Sequence, residues 1–135
     1  MASVRKETTI NVPPVRAWDA LRDWGALHER LVPGFAVGAD VEGRDRLVTF
    51  FNGTVYRERI IDVDQATRRL VWSIIEGPYE HHNASAQVIE DAENRTRFVW
   101  IADLLPDEAA ERTGSLMEQA LKTIKQTLEA AGVGA

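Results

Sequence analysis

Between residues 46 and 104 the chain repeats one pattern. Apolar and polar side chains alternate in short runs, and Gly, Pro, Asn or Asp breaks them about every ten residues. This predicts strands over residues 46–51, 54–63, 70–75, 81–89 and 97–104, joined by turns at Asn52-Gly53, Asp64–Thr67, Gly77-Pro78 and Asp91–Asn94. Asn52-Gly53 suits a two-residue type I′ hairpin, because both central residues of that turn need positive φ. Ahead of this block, residues 4–12 alternate with Val4, Thr8, Ile10 and Val12 on one face, and Pro13-Pro14 ends the strand. Val15, Trp18 and Leu21 then recur at helical spacing. A second short helix is expected over residues 26–31, stopped by Pro33-Gly34, and a weak strand over residues 35–41.

The period changes after Pro106. Ala109, Ala110, Thr113, Leu116, Met117, Ala120, Leu121, Ile124 and Leu128 fall at i, i+3, i+4 spacing, which predicts one amphipathic helix over residues 107–131 with Asp107 as its N-cap. At a 1.5 Å rise per residue such a helix is roughly 36 Å long. The order is strand, two short helices, about six strands and one long helix. Tight turns between consecutive strands make an antiparallel meander, and the absence of long crossovers excludes a doubly wound parallel sheet. The expected fold is therefore α+β in one domain, residues 1–135: a curved antiparallel sheet of about seven strands wrapped around the long C-terminal helix.

Alternation also assigns faces. On residues 81–89 the even positions, His82, Ala84, Ala86 and Val88, are the less polar set and should face the helix, leaving His81, Asn83, Ser85 and Gln87 outside. By the same logic Phe98, Trp100, Ala102 and Leu104 point inward, as do Leu70, Trp72 and Ile74. With Arg57 and Arg59 outside, Tyr56, Glu58 and Ile60 lie inside, and Arg46 shares the phase of Val48 and Phe50. A ligand cavity is then expected to be lined by Arg46, Val48, Phe50, Trp72, Ala84, Phe98, Trp100, Met117 and Leu121, with Ile124 a further candidate. The same side chains would serve as plain core fillers. Glu58, His82 and Tyr56 are the acid/base candidates. A carboxylate against apolar walls, or an imidazole whose unperturbed pKa is near 6.5, suits proton transfer. Arg46 and Glu58, on strands paired across the Asn52-Gly53 hairpin, could instead form a structural ion pair.

Composition narrows the function classes. Net charge is −5, which disfavours a nucleic-acid surface, because phosphate contacts need an excess of Lys and Arg. There are no cysteines, hence no disulfide framework and no thiolate metal site. His81 and His82 point to opposite faces and cannot share a metal. His28-Glu29 begins like a zincin motif, but Val32 stands where the second histidine belongs. No phosphate-binding Gly loop opens a helix, no Gly-x-Ser-x-Gly elbow surrounds a serine, and the few lysines give little basis for a Schiff base. No cofactor is expected. With no apolar leader at residues 1–7 and no run of about 20 apolar residues, a cytoplasmic protein without membrane insertion is expected, a monomer or homodimer whose partner is a small hydrophobic molecule.

Taken together, NVPPVRAWDALRDW (11–24), Pro33-Gly34, RLVTFFNG (46–53), YRERIIDVD (56–64), RRLVWSI (68–74), GPYEHHNASAQV (77–88), RFVWIADLLPDE (97–108) and the final helix resemble, in order and spacing, the START/Bet v 1-like helix-grip proteins (the SRPBCC superfamily). The polyketide cyclase/dehydrase-like branch is the nearest in pattern. The resemblance implies a cavity between sheet and helix that holds a polyketide-, lipid- or isoprenoid-like molecule. It also implies the alternative of a cyclase or dehydratase of aromatase type, folding a polyketone and using Glu58 or His82 to take a proton alpha to a carbonyl. Fold alone does not choose between carriage and catalysis.

Overall fold

The computed structural model describes residues 1–133. Seven antiparallel strands form one sheet in the order β1-β7-β6-β5-β4-β3-β2. They are β1 (Ala2–Ile10), β2 (Ala36–Glu42), β3 (Asp45–Phe50), β4 (Val55–Asp64), β5 (Arg69–Glu76), β6 (His81–Ala92) and β7 (Arg95–Leu105). Between β1 and β2 lie α1 (Pro14–Leu21), a 3₁₀ turn (Trp24–Ala26) and α2 (Leu27–Arg30). A second 3₁₀ turn (Asp107–Ala109) leads into α3 (Ala110–Val133). This is the helix-grip arrangement. No helix among the described residues is long and apolar enough to cross a membrane.

The strand faces are as alternation predicts. His82, Ala84, Ala86 and Val88 are buried on β6, and Phe98, Ala102 and Leu104 on β7. Register shifts interrupt β2 at Ala36/Gly38, β5 at Ile75 (opposite Arg57/Glu58), β4 at Ile60/Asp62 and β6 at Glu90/Ala92. Each such bulge bends its strand and raises the local twist, so the sheet curves around what it covers. Three local expectations change. In the β3–β4 connection only Gly53 takes positive φ (85°), and its N–H donates to the Phe50 carbonyl at 2.9 Å. The connection is therefore Phe51–Thr54, with the Asn52 side chain accepting from Thr54 N–H at 3.1 Å, rather than a two-residue type I′ turn. In α1 the buried series is Pro14, Ala17, Trp18 and Leu21, so Val15, one residue round from Pro14, is 63% exposed. Pro106, not Asp107, occupies the cap position before the final helical segment.

Along α3 the buried residues are Thr113, Gly114, Met117, Ala120, Leu121, Ile124 and Leu128. One side of the helix lies on β1. Lys6 pairs with Glu118 at 2.6 Å, and Lys125 Nζ donates to the Thr9 carbonyl at 2.7 Å. A Cβ built on Gly114 would stand 3.3 Å from Lys6 Cε and 3.4 Å from Val4 Cγ1. Gly114 thus marks a close approach of helix to strand, and it lies within the continuous helix α3.

Candidate functional site

The inner face of the sheet does not touch α3 everywhere. Between them is a cavity of about 360 Å³, walled by β3–β7 on one side and by α3, α1 and α2 on the others. Its lining is mainly apolar and aromatic, including Phe50, Trp72, Phe98, Trp100 and Met117. Trp72 and Trp100 stand with ring centroids 6.0 Å apart, and Phe50 meets Tyr56 edge-on at 4.8 Å. The mouth is framed by the β3–β4 connection, the Gly77–Tyr79 turn and the first turns of α3 at Arg112 and Thr113. Tyr79 and Thr113 hydrogen-bond through their hydroxyls at 2.7 Å, joining that turn to the helix.

Two charged side chains stand on the floor. Arg46 and Glu58 are directly opposite on β3 and β4, and both are buried. Arg46 Nε lies 2.9 Å and Nη2 2.7 Å from Glu58 Oε1. Arg46 Nη1 donates to the Trp24 carbonyl at 3.1 Å, and the guanidinium carbon sits 3.6 Å from the centroid of the Trp24 ring. Burial lowers the Arg46 pKa from its ordinary value while Glu58 opposes that shift. The guanidinium is therefore held by a carboxylate, a carbonyl and an aromatic face together. Both Arg46 nitrogens go to Oε1. Oε2 has no protein partner among the described residues, and Glu58 lines the cavity.

His82 occupies the same row of the sheet two strands away. Its Nδ1 accepts the Ile74 backbone N–H at 3.1 Å, so the proton of the neutral ring sits on Nε2. Burial, with His81 adjacent, pulls its pKa down from 6.5 to about 4. At neutral pH His82 is thus an uncharged Nε2–H donor with no basic nitrogen to spare. Its ring lies 5.0 Å from that of Tyr79, and its own carbonyl accepts from the Ser73 hydroxyl. Burial also raises the Tyr56 phenol above its usual pKa, and Tyr56 too remains a donor. On the floor the chemistry available is one carboxylate oxygen that accepts and two groups that donate, and elsewhere in the lining the buried Trp100 indole N–H has no partner among the described residues.

Of the residues singled out from sequence, Arg46, Glu58, Tyr56, His82, Phe50, Trp72, Phe98, Trp100, Met117 and Ile124 meet at the cavity wall. Val48, Ala84 and Leu121 do not line it. All three are buried, but pointing inward is not the same as reaching the void. Ala84 ends at its methyl, between Trp72 and Ala102 on the neighbouring strands. Val48 packs into the core without reaching the cavity. Leu121 projects from α3 on the side shared with Gly114, Glu118 and Lys125, which is the side on β1, whereas Thr113, Leu116, Met117, Ala120 and Ile124 face the cavity. Sequence reasoning missed Tyr79, Arg112 and Trp24. Among the described residues no group of three or more His, Asp or Glu side chains could hold a metal ion.

The pattern of a known family, polyketide cyclase/dehydrase and lipid transport, matches residues 1–129. The chain belongs to this family. Solved structures of similar fold come from several bacteria. An uncharacterised protein of Bacillus thuringiensis superposes with a TM-score of 0.85 at 18% identity, covering 94% of this chain and 98% of that one. A START superfamily protein of Mycobacterium smegmatis gives 0.74 at 12% identity, covering 96% and 95%. The ZhuI aromatase/cyclase of Streptomyces sp. R1128 gives 0.71 at 17% identity, covering 96% and 92%. At these identities the likeness is one of fold. No curated protein matches the chain.

Two predictions follow from the charged floor and the histidine beside it. Replacing Glu58 with Leu leaves the Arg46 guanidinium buried and unpaired, a change expected to cost about 3–5 kcal/mol. Adding Arg46→Met should recover part of that loss. Urea denaturation of both single variants and the double variant reads the coupling, and strictly additive losses would show that the pair is not a unit. For His82 the unfolded chain takes up its proton near pH 6.5 and the folded chain only near 4. The neutral form favoured by the fold is fully present above pH 6.5. Stability is then lost as pH falls toward 4, by a total on the order of 3 kcal/mol. His82→Gln should flatten the fall in Tm between pH 6.5 and 4, and an unchanged slope would rule out the shifted histidine as its cause.

Proposed function

We propose that the protein binds a small hydrophobic molecule in the cavity between sheet and α3. What carries this reading is the character of the void: about 360 Å³, walled mostly by aromatic and aliphatic side chains, with polar groups confined to the floor and the mouth. Ligand pockets share that composition, and this volume is near the lower end of their usual range of roughly 300–1,000 Å³. A compact, ring-containing molecule fits it better than a long acyl chain. The family description, which names lipid transport beside cyclase and dehydrase chemistry, is in keeping with carriage. Titration with Nile red, an uncharged fluorophore, is expected to give saturable binding with one site per chain. Met117→Trp, which fills the cavity from the helix side, should abolish that binding while the protein stays folded by circular dichroism. Nile red that binds without saturation, or binds Met117→Trp equally well, would exclude the cavity as the site.

A second reading has one observation in its favour. Glu58 Oε2 faces apolar walls without a protein partner and could take a proton alpha to a ligand carbonyl, while His82 and Tyr56 hydrogen-bond to the oxygen that gains charge. In that mechanism Glu58 is the base, His82 and Tyr56 are donors, and the aromatic walls hold a flexible polyketone in a folded shape. Incubation with a short poly-β-ketone, followed by chromatography of the cyclised products, tests it. Wild type should accelerate the aldol closure and Glu58→Gln should lose most of that acceleration. Equal rates for the two proteins would remove Glu58 from the chemistry.

A further inference from the structure

We propose that Glu58 and His82 form a polar clamp that selects an uncharged, flat molecule bearing a hydroxyl at one end and a carbonyl at the other. The inference rests on the ligand-binding reading and names the ligand's chemistry. Its basis is one row of residues running across the sheet. Arg46 is opposite Glu58, Glu58 is opposite Ile74, and the Ile74 amide bonds to His82. Glu58 and His82 therefore lie two strands apart, about 10 Å between backbones, with the apolar Ile74 between them, and all three line the cavity.

The two polar ends are opposite in kind. At Glu58, Oε1 is occupied by two Arg46 nitrogens, and Oε2 is left as an acceptor for a hydroxyl. At His82, the Ile74 amide fixes Nδ1 as acceptor and leaves Nε2–H as a donor for a carbonyl oxygen. Neither end can exchange roles, because each is locked by a bond to a neighbouring strand. Charge sharpens the choice. Among the described residues Arg46 is the one cation on the cavity floor, and it is already committed to Glu58, to the Trp24 carbonyl and to the Trp24 ring. A ligand carboxylate seated there would meet the Glu58 carboxylate and find no free positive partner, and an unpaired buried charge is costly. The other arginine of the lining, Arg112, is exposed at the mouth.

Four naphthalenes of similar size separate the terms by calorimetric titration: 6-hydroxy-2-acetonaphthone, 2-acetonaphthone, 2-naphthol and 6-hydroxy-2-naphthoate. The hydroxyketone is expected to bind roughly tenfold more tightly than either single-function analogue, and the carboxylate most weakly. His82→Phe should weaken both ketones by the same factor and leave 2-naphthol unchanged. Glu58→Gln, which turns an amide N–H toward the hydroxyl, should weaken the hydroxyketone and 2-naphthol and spare 2-acetonaphthone. The analogue series on wild type alone tests the clamp should that variant fail to fold. Equal affinity for all four, or tightest binding of the carboxylate, would overturn the clamp and leave the binding function standing. Saturable binding of none of them, together with failure of Nile red to bind, would overturn both.

Discussion

One helix cannot cover a seven-stranded sheet. Strands spaced about 4.8 Å apart make a surface roughly 29 Å wide, and a helix with its side chains is about 10 Å across. In this protein α3 lies along the β1 edge, anchored by the Gly114 contact, the Lys6–Glu118 pair and the Lys125 bond to Thr9. Of the helices between β1 and β2, α2 packs on β2 at the opposite edge and α1 meets β6 and β7. The inner faces of β4 and β5 are left between these supports. Bulges in β4 and β6 curve the sheet toward the helix without closing the gap. The cavity is thus a consequence of element count and width, and large aromatic side chains are where it is narrowed.

Charge placed at the edge of such a void has to be secured, since the low-dielectric surroundings magnify both attraction and desolvation. The Arg46–Glu58 pair is secured from three directions, and one of them ties fold to site. The Trp24 carbonyl belongs to the 3₁₀ turn between α1 and α2, so the bond from Arg46 fixes that turn against β3. The Trp24 ring then covers a face of the guanidinium. Loss of the pair would loosen a helical connection as well as the cavity floor. This gives Arg46 a structural reason to be present that is independent of any ligand.

The fold was legible because burial on one face enforces period-two alternation, and a one-residue slip would have put His82 and Glu58 outside. The clearest case is Glu58, whose inward direction follows from Arg57 and Arg59 pointing outward to Asp45 and its neighbours. Alternation reports direction but not depth. For that reason Val48, Ala84 and Leu121 could not be told from lining residues, since all of them face inward and only the packing around each decides what it touches. Tyr79, Arg112 and Trp24 were hidden for a different cause. Tyr79 lies in a turn and Trp24 in a 3₁₀ segment, where no sequence period assigns a direction, and Arg112 is an exposed position that the helical period puts on the polar side of α3. The hairpin was misread at Asn52 because Asn-Gly supports more than one connection, and here the Asn side chain caps the turn instead of taking positive φ.

The state of His82 bears on what the cavity can do. An imidazole in an apolar pocket invites assignment as a base, but the sheet itself claims its lone pair through the Ile74 amide. A proton leaving a ligand then has a single carboxylate acceptor on the floor, Glu58 Oε2, and Tyr56 and His82 are placed to donate hydrogen bonds to the oxygen that gains charge. One acceptor beside two donors serves two purposes equally well in the ground state: it holds a hydroxyketone still, and it polarises the ketone. What separates them is where the acidic carbon of the ligand lies relative to Oε2. A molecule whose hydroxyl occupies Oε2 blocks that oxygen from acting as a base. One that presents a methylene there exposes it to proton transfer. Carriage and catalysis in this cavity are therefore alternatives set by the ligand's own pattern of oxygens, with the protein groups unchanged.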